Sequence, residues 1–122
     1  AGPAAEGTII TTSLDRDSTA VETQDFITAF EAKTGNKADM VAASAHTAIK
    51  VLAAALQSSD NGDKAALRDA IMSTQLTAST GEISFNGLGE VQKSVQVQIV
   101  KDGQWRHHSV IDDADLLAPP TE

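Results

Sequence analysis

The side chains in this sequence best suited to proton transfer or metal ligation are three histidines, His46, His107 and His108, and an acidic group, Asp112, Asp113 and Asp115. There is no cysteine, which removes a thiolate nucleophile, a thiolate zinc site and a disulfide framework. His107 and His108 are adjacent in a predicted strand, so their side chains are expected on opposite faces, where they do not converge on one metal. Asp112, Asp113 and Asp115 read as an acidic tail and not as a spaced general acid and base. The serines lie outside any nucleophile-elbow context. Asn86-Gly87-Leu88-Gly89 falls between strands, with no helix after it to cradle a phosphate. No catalytic group, metal or cofactor is therefore expected. His46, on a helix among apolar neighbours, has two readings: a satisfied structural histidine or a group facing a ligand.

The elements that position these residues follow from hydrophobic periodicity. Thr8 to Thr12 is a β-branched run that predicts a strand, and Ser13 to Asp17 is a polar loop. Thr19 with Glu22 fits a capping box, opening a helix to about Thr34 with Val21, Phe26, Ile27 and Phe30 near one face and Gly35 ending it. A second helix spans Asp39 to Ser58, with Met40, Val41, Ala45, Ala48, Ile49, Leu52 and Leu56 as a broad apolar arc. Ser58 to Asp63 is a turn-rich break before a short third helix ending near Thr74. From Glu82 the period becomes two. Val95, Val97 and Ile99 alternate with Gln96 and Gln98, which predicts a strand with one wet face. Asp102-Gly103 joins it as a hairpin to Trp105–Val110. Asp112 to Glu122 is read as mostly unstructured.

Composition sets limits on partners. With seventeen acidic and nine basic residues the formal charge is −8, which argues against nucleic acid or an anionic membrane surface as the main partner. No uninterrupted apolar run approaches the roughly 20 residues of a membrane span, and Ala1 to Gly7 lacks the basic and apolar regions of a signal peptide. Much of the 41% hydrophobic fraction is alanine, and the aromatics are only Phe26, Phe30, Phe85 and Trp105. So thin a core content is expected of part of something larger.

The succession Glu6-Gly7-Thr8-Ile9-Ile10-Thr11-Thr12, Phe30-Glu31-Ala32-Lys33-Thr34-Gly35, Ala42 to Leu52, Leu67-Arg68-Asp69-Ala70-Ile71, Thr80-Gly81-Glu82-Ile83-Ser84-Phe85 and Lys101-Asp102-Gly103-Gln104-Trp105 resembles the last part of the branched-chain amino acid-binding family, the type I periplasmic binding proteins. The resemblance covers about Glu6 to Val110. It implies an α/β fold in which this chain holds one N-terminal strand, three helices and then an antiparallel hairpin. The lobe elements are incomplete, to be completed by residues before Ala1 or by another copy. Residues 8–12 are expected as a strand of the second lobe, 18–79 as helices of the first, 80–111 as crossover and second-lobe hairpin, and 112–122 as a tail.

The same resemblance implies function. The chain is expected to be part of an extracytoplasmic or periplasmic protein, not an enzyme, that captures an amino acid, an aromatic acid or a similar small molecule for the membrane subunits of an ABC importer. Its candidate ligand contacts are Ser13 and Asp15 after the first strand and Val41, Ser44 and His46 at the start of the second helix. An Asp15 carboxylate there suits a ligand ammonium, and the group supplies the apolar wall and few polar contacts that such a site needs. In the structural alternative, Ser13 and Asp15 are turn residues and Val41 and Ser44 pack the helix. Relatives commonly show Gly-Tyr-Asp-Ala-Val where this sequence has Ala45-His46-Thr47-Ala48-Ile49, with Val41 at a preceding aromatic position. These departures point away from a standard branched-chain amino acid as ligand. A second function class stands beside this one: an association unit that binds no ligand and buries its helix faces and strand edge by exchange with another copy.

Overall fold

The computed structural model describes residues 2–59 and 63–118. A single 3₁₀ turn, Gly2–Ala5, precedes the first strand. The elements then run β1 (Ile9–Thr12), α1 (Val21–Thr34), α2 (Met40–Ser58), α3 (Lys64–Met72), β2 (Leu76–Ala78), β3 (Gly81–Phe85), β4 (Val91–Gln92), β5 (Val95–Lys101), β6 (Gln104–Ile111) and α4 (Ala114–Leu117). The strands form two antiparallel sheets, ordered β1-β5-β6 and β2-β3-β4. The mixed α/β architecture matches expectation. Residues 60–62 of the expected turn-rich break and the last four residues of the expected tail lie outside the described residues, and the described part of the tail carries the single turn of α4.

Local chemistry sets the element ends. Asp39 and Asp63 cap α2 and α3, accepting from the backbone N–H of Ala42 and Ala65, each at 2.8 Å, which satisfies donors no helical carbonyl can reach. Gly35 closes α1 with φ 69° and donates to the Glu31 carbonyl. The capping box of Thr19 and Glu22 does not form, because α1 starts one residue later than it requires. Ala20 occupies the cap with no side-chain bond, and Gln24 instead reaches back to the Ser18 carbonyl at 2.7 Å. The β5–β6 hairpin turns at Asp102 (φ 52°) and Gly103 (φ 71°), the doubly left-handed pair of a type I′ turn. Glu6 accepts from both of their N–H groups.

Two burial patterns differ from expectation. On α2 the buried stripe is Ala43, Thr47, Val51 and Ala55, spaced by four as one helical face. The expected arc is largely uncovered: Val41 is 69% exposed, Ile49 65% and Leu56 46%. The small Ala43 lets the β2–β3 turn approach closely, with Ser79 Oγ 3.0 Å from its carbonyl, and most of the larger side chains face outward. In β5 the expected wet face fails at Gln98, which is fully buried. A bulge falls between Val97 and Gln98, whose partners on β6 are Ser109 and His107. The loop after β1 covers Gln98. The core gathers Leu14, Phe26, Ala38 and Ala43, with Ile27, Phe30 and Ala42 packed against it. By length and composition α2 is apolar enough to cross a membrane, which uninterrupted apolar runs do not reveal. Here it packs on the β2–β3 turn through polar side chains.

Candidate functional site

The polar loop Ser13–Ala20 leaves β1 and enters α1, and its side chains bind in three directions. Leu14 drops into the core. Arg16 donates to the Ala38 carbonyl through Nε at 3.2 Å and Nη2 at 2.9 Å, tying the loop to the approach of α2. Asp15 and Asp17 turn toward β6. Asp15 Oδ2 meets His107 Nδ1 at 2.7 Å, while its Oδ1 accepts from Asp17 N at 3.0 Å and Gln98 Nε2 at 3.4 Å. Asp17 accepts from His107 N at 2.9 Å and pairs with Arg106 at 3.0 Å. The His107 backbone donor and then Arg106, acting against some burial, hold the Asp17 carboxyl below its ordinary range.

Ser13 takes a different partner. Its Oγ accepts from Lys93 Nζ at 2.8 Å, in the two-residue link between β4 and β5. Burial pushes the Lys93 ammonium below its usual range, and no carboxylate lies within ion-pair distance of it among the described residues. Lys93 also borders an open, mainly apolar pocket of about 410 Å³ shared with Ser44, Thr47, Leu52, Phe85 and Val91.

On α2, Ser44 is exposed at this pocket and Val41 projects from the first turn. His46 points elsewhere. Its ring stacks on Phe26 with centroids 4.8 Å apart, and Nδ1 lies 2.9 Å from Ser79 Oγ in the β2–β3 turn. Burial first, then the charge of Lys50, lowers its pKa.

The five candidate contacts therefore divide. Lys93 binds Ser13 and shares a pocket with Ser44, and Val41 stands exposed three residues before Ser44. Asp15 has both oxygens engaged within the chain, and His46 is bound between α1 and the turn. His107 and His108 have separate partners, Asp15 and Ser109, and no cluster of three His, Asp or Glu ligands occurs among the described residues. Sequence reasoning missed Lys93, because a lysine in a polar linker gives no sign of its burial. It also missed Ser79, which looked like one more polar residue before the strand.

The comparisons with known proteins bear on the family and the fold. A family model described as periplasmic binding protein matches residues 1–104. No curated protein sequence matches at a significant level. Among solved structures, the leucine-binding protein LivK of Thermotoga maritima is 27% identical with a TM-score of 0.82, over 93% of this chain and 33% of its own. An ABC transporter substrate-binding protein from Desulfitobacterium hafniense, solved in complex with Leu, is 27% identical with a TM-score of 0.80, over 85% of this chain and 32% of its own. A leucine-, isoleucine-, valine-, threonine- and alanine-binding protein from Brucella ovis, in a closed conformation, shares the fold at 19% identity and a TM-score of 0.84, over 98% of this chain and 34% of its own. The chain spans about a third of the length of these relatives. The family match along most of the sequence and the likeness in fold show the family: the chain belongs to the type I periplasmic binding proteins.

Proposed function

We propose that this chain forms the closing third of an extracytoplasmic binding protein that captures a small carboxylic acid, either an amino acid or an aromatic acid, and presents it to an ABC importer. The observation that carries the reading is the superposition of the chain on relatives solved with such molecules: leucine in the Desulfitobacterium hafniense protein, and benzoate and 3,4-dihydroxy benzoic acid in two Rhodopseudomonas palustris proteins. In this reading β1, β5 and β6 belong to the second lobe and the helices to the first, and the loops at Ser13 and Lys93 are crossovers between them. Val41, Ser44 and Ser13 line one wall of the cleft, with Asp15 and His46 holding that wall in place. Ligand capture shifts the lobes toward a closed form that the membrane subunits recognise, and no bond is made or broken.

The test is calorimetric titration of leucine and of benzoate into the chain alone and into the chain joined to the remaining two-thirds of a relative. Binding in the joined protein, weakened by Ser44→Ala or Val41→Asp, supports the reading. Absence of binding to either class of acid overturns it.

A second reading, in which the chain associates by exchange of elements with another copy, is favoured by the exposed Val41, Ile49, Leu52 and Leu56 of α2. Sedimentation decides it. A monomer across micromolar concentrations removes this reading.

A further inference from the structure

The turn joining β2 to β3 is buried, which is unusual for a hairpin turn. Ser79 is 2% exposed and Thr80 4%, and both face Thr47 of α2, itself 7% exposed. Four short contacts converge on Ser79 Oγ and its neighbours: Ala43 O at 3.0 Å, His46 Nδ1 at 2.9 Å and Thr47 Oγ1 at 3.2 Å from Ser79 Oγ, and Thr80 Oγ1 at 3.0 Å from Thr47 Oγ1. The Ser79 carbonyl also accepts from Thr23 Oγ1 of α1 at 3.3 Å.

These contacts have one consistent direction. A carbonyl only accepts, so the 3.0 Å contact to Ala43 O takes the single hydroxyl hydrogen of Ser79. Ser79 Oγ must then accept from both Thr47 and His46. Thr47, having donated to Ser79, must accept from Thr80. His46 Nδ1 must carry a hydrogen. Nε2 has no partner and is not buried, since no buried side-chain nitrogen or oxygen lacks a partner among the described residues. Burial and Lys50 favour the neutral ring, which leaves Nε2 as a bare acceptor at the groove between α1 and α2, beside Phe26 and Phe30.

We infer that Ser79 is a positioning residue for the cleft wall: its one hydroxyl hydrogen sets the direction of the whole group, fixes His46 as the Nδ1–H tautomer, and pins the β2–β3 turn to the first two turns of α2, where Val41 and Ser44 stand. The inference rests on the reading of those two residues as ligand-facing. Ser79 touches no ligand itself. It acts through Ala43, one residue before Ser44, and through His46 and Thr47 on the following turn.

Nitrogen-15 spectra of the histidine rings in this chain near neutral pH test it. A neutral His46 with its hydrogen on Nδ1 is expected, with the pyridine-type resonance at Nε2. Ser79→Ala should abolish that preference and shift the backbone amides of Val41 and Ser44. His46→Asn, whose side-chain amide mimics the Nδ1 donor, should leave those two amides near their wild-type positions, whereas His46→Leu should not. An Nε2–H tautomer in the wild type overturns the inference, as does a Ser79→Ala spectrum with both the tautomer and the α2 amides unchanged. Should Ser79→Ala fail to fold, the wild-type tautomer and the asparagine–leucine pair still decide. None of these readouts needs a ligand. If they hold while leucine and benzoate bind the joined protein with no effect of Ser44→Ala or Val41→Asp, the cleft reading fails, and Ser79 positions the start of α2 without serving a ligand wall.

Discussion

Leu14→Ala against Leu52→Ala sets the buried loop residue against the exposed helix residue. Leu14 is fully buried in the loop after β1, against Phe26, Ala38 and Ala43, whereas Leu52 on α2 is 38% exposed. Truncating Leu14 loses three apolar carbons, about 2.5 kcal/mol of transfer free energy at roughly 0.8 kcal/mol for each methylene. A partly collapsed cavity adds about 1 kcal/mol, for a loss of roughly 3–4 kcal/mol. Leu52 borders an open pocket and leaves no closed cavity, so its truncation should cost about 1 kcal/mol or less. Urea unfolding followed by circular dichroism measures both. With a slope of about 1.5 kcal/mol per molar, Leu14→Ala should lower the midpoint by roughly 2 M and Leu52→Ala by well under 1 M. Equal losses for the two variants would refute the reasoning, because the outer face of α2 would then be covered in solution.

Gly103→Ala should destabilise by about 1 kcal/mol in the same assay, since Gly103 has φ 71° with open space around it and the cost is backbone strain alone. Lys93→Met should leave stability unchanged or raise it by up to about 1 kcal/mol, because a half-buried ammonium without a carboxylate partner is replaced by an apolar chain; a clear loss would mean that the bond to Ser13 outweighs desolvation. Acid should weaken the fold in two stages. His46 is held neutral in the folded chain, so the unfolded chain takes up its proton first and stability declines as pH falls below about 6.5. Asp17, whose folded pKa is lowered from 3.8, gives stability that is present above that value and is lost as pH falls through the folded one. Thermal melts from pH 8 to 3 should show the upper stage vanish in His46→Asn and the lower stage shrink in Asp17→Asn.

How much of this was legible in the sequence depended on the range of the interactions. Gly35, Asp39 and the Asp102–Gly103 turn act within a few residues, and their types alone set φ or a cap, so α1, α2 and the last hairpin fell close to where periodicity placed them. The three-residue β2 was missed because Leu76-Thr77-Ala78 carries no period and is a strand only through pairing with β3. Gln98 looked solvated because alternation places it beside Gln96. Its burial comes from Arg16 and Asp15, which reach it across more than eighty residues. The candidate site divided for the same reason. Ser44 has a small, exposed side chain, while Ser13, Asp15 and His46 found distant partners, Lys93, His107 and Ser79, that no local spacing announces.

The pairing of Ile9 with Ile99 in one sheet has a kinetic consequence. β5 and β6 close through a two-residue turn and can zip early, at little entropic cost. β1 must wait until the chain between has been drawn into a loop of nearly ninety residues, a penalty that grows with the logarithm of that length. β1 should therefore be the last strand to dock in folding and the first to detach in unfolding. Weakening Ile9 or Ile10 should then speed unfolding with little change in the folding rate, and the amide hydrogens of β1 should exchange with solvent before those of the hairpin it joins.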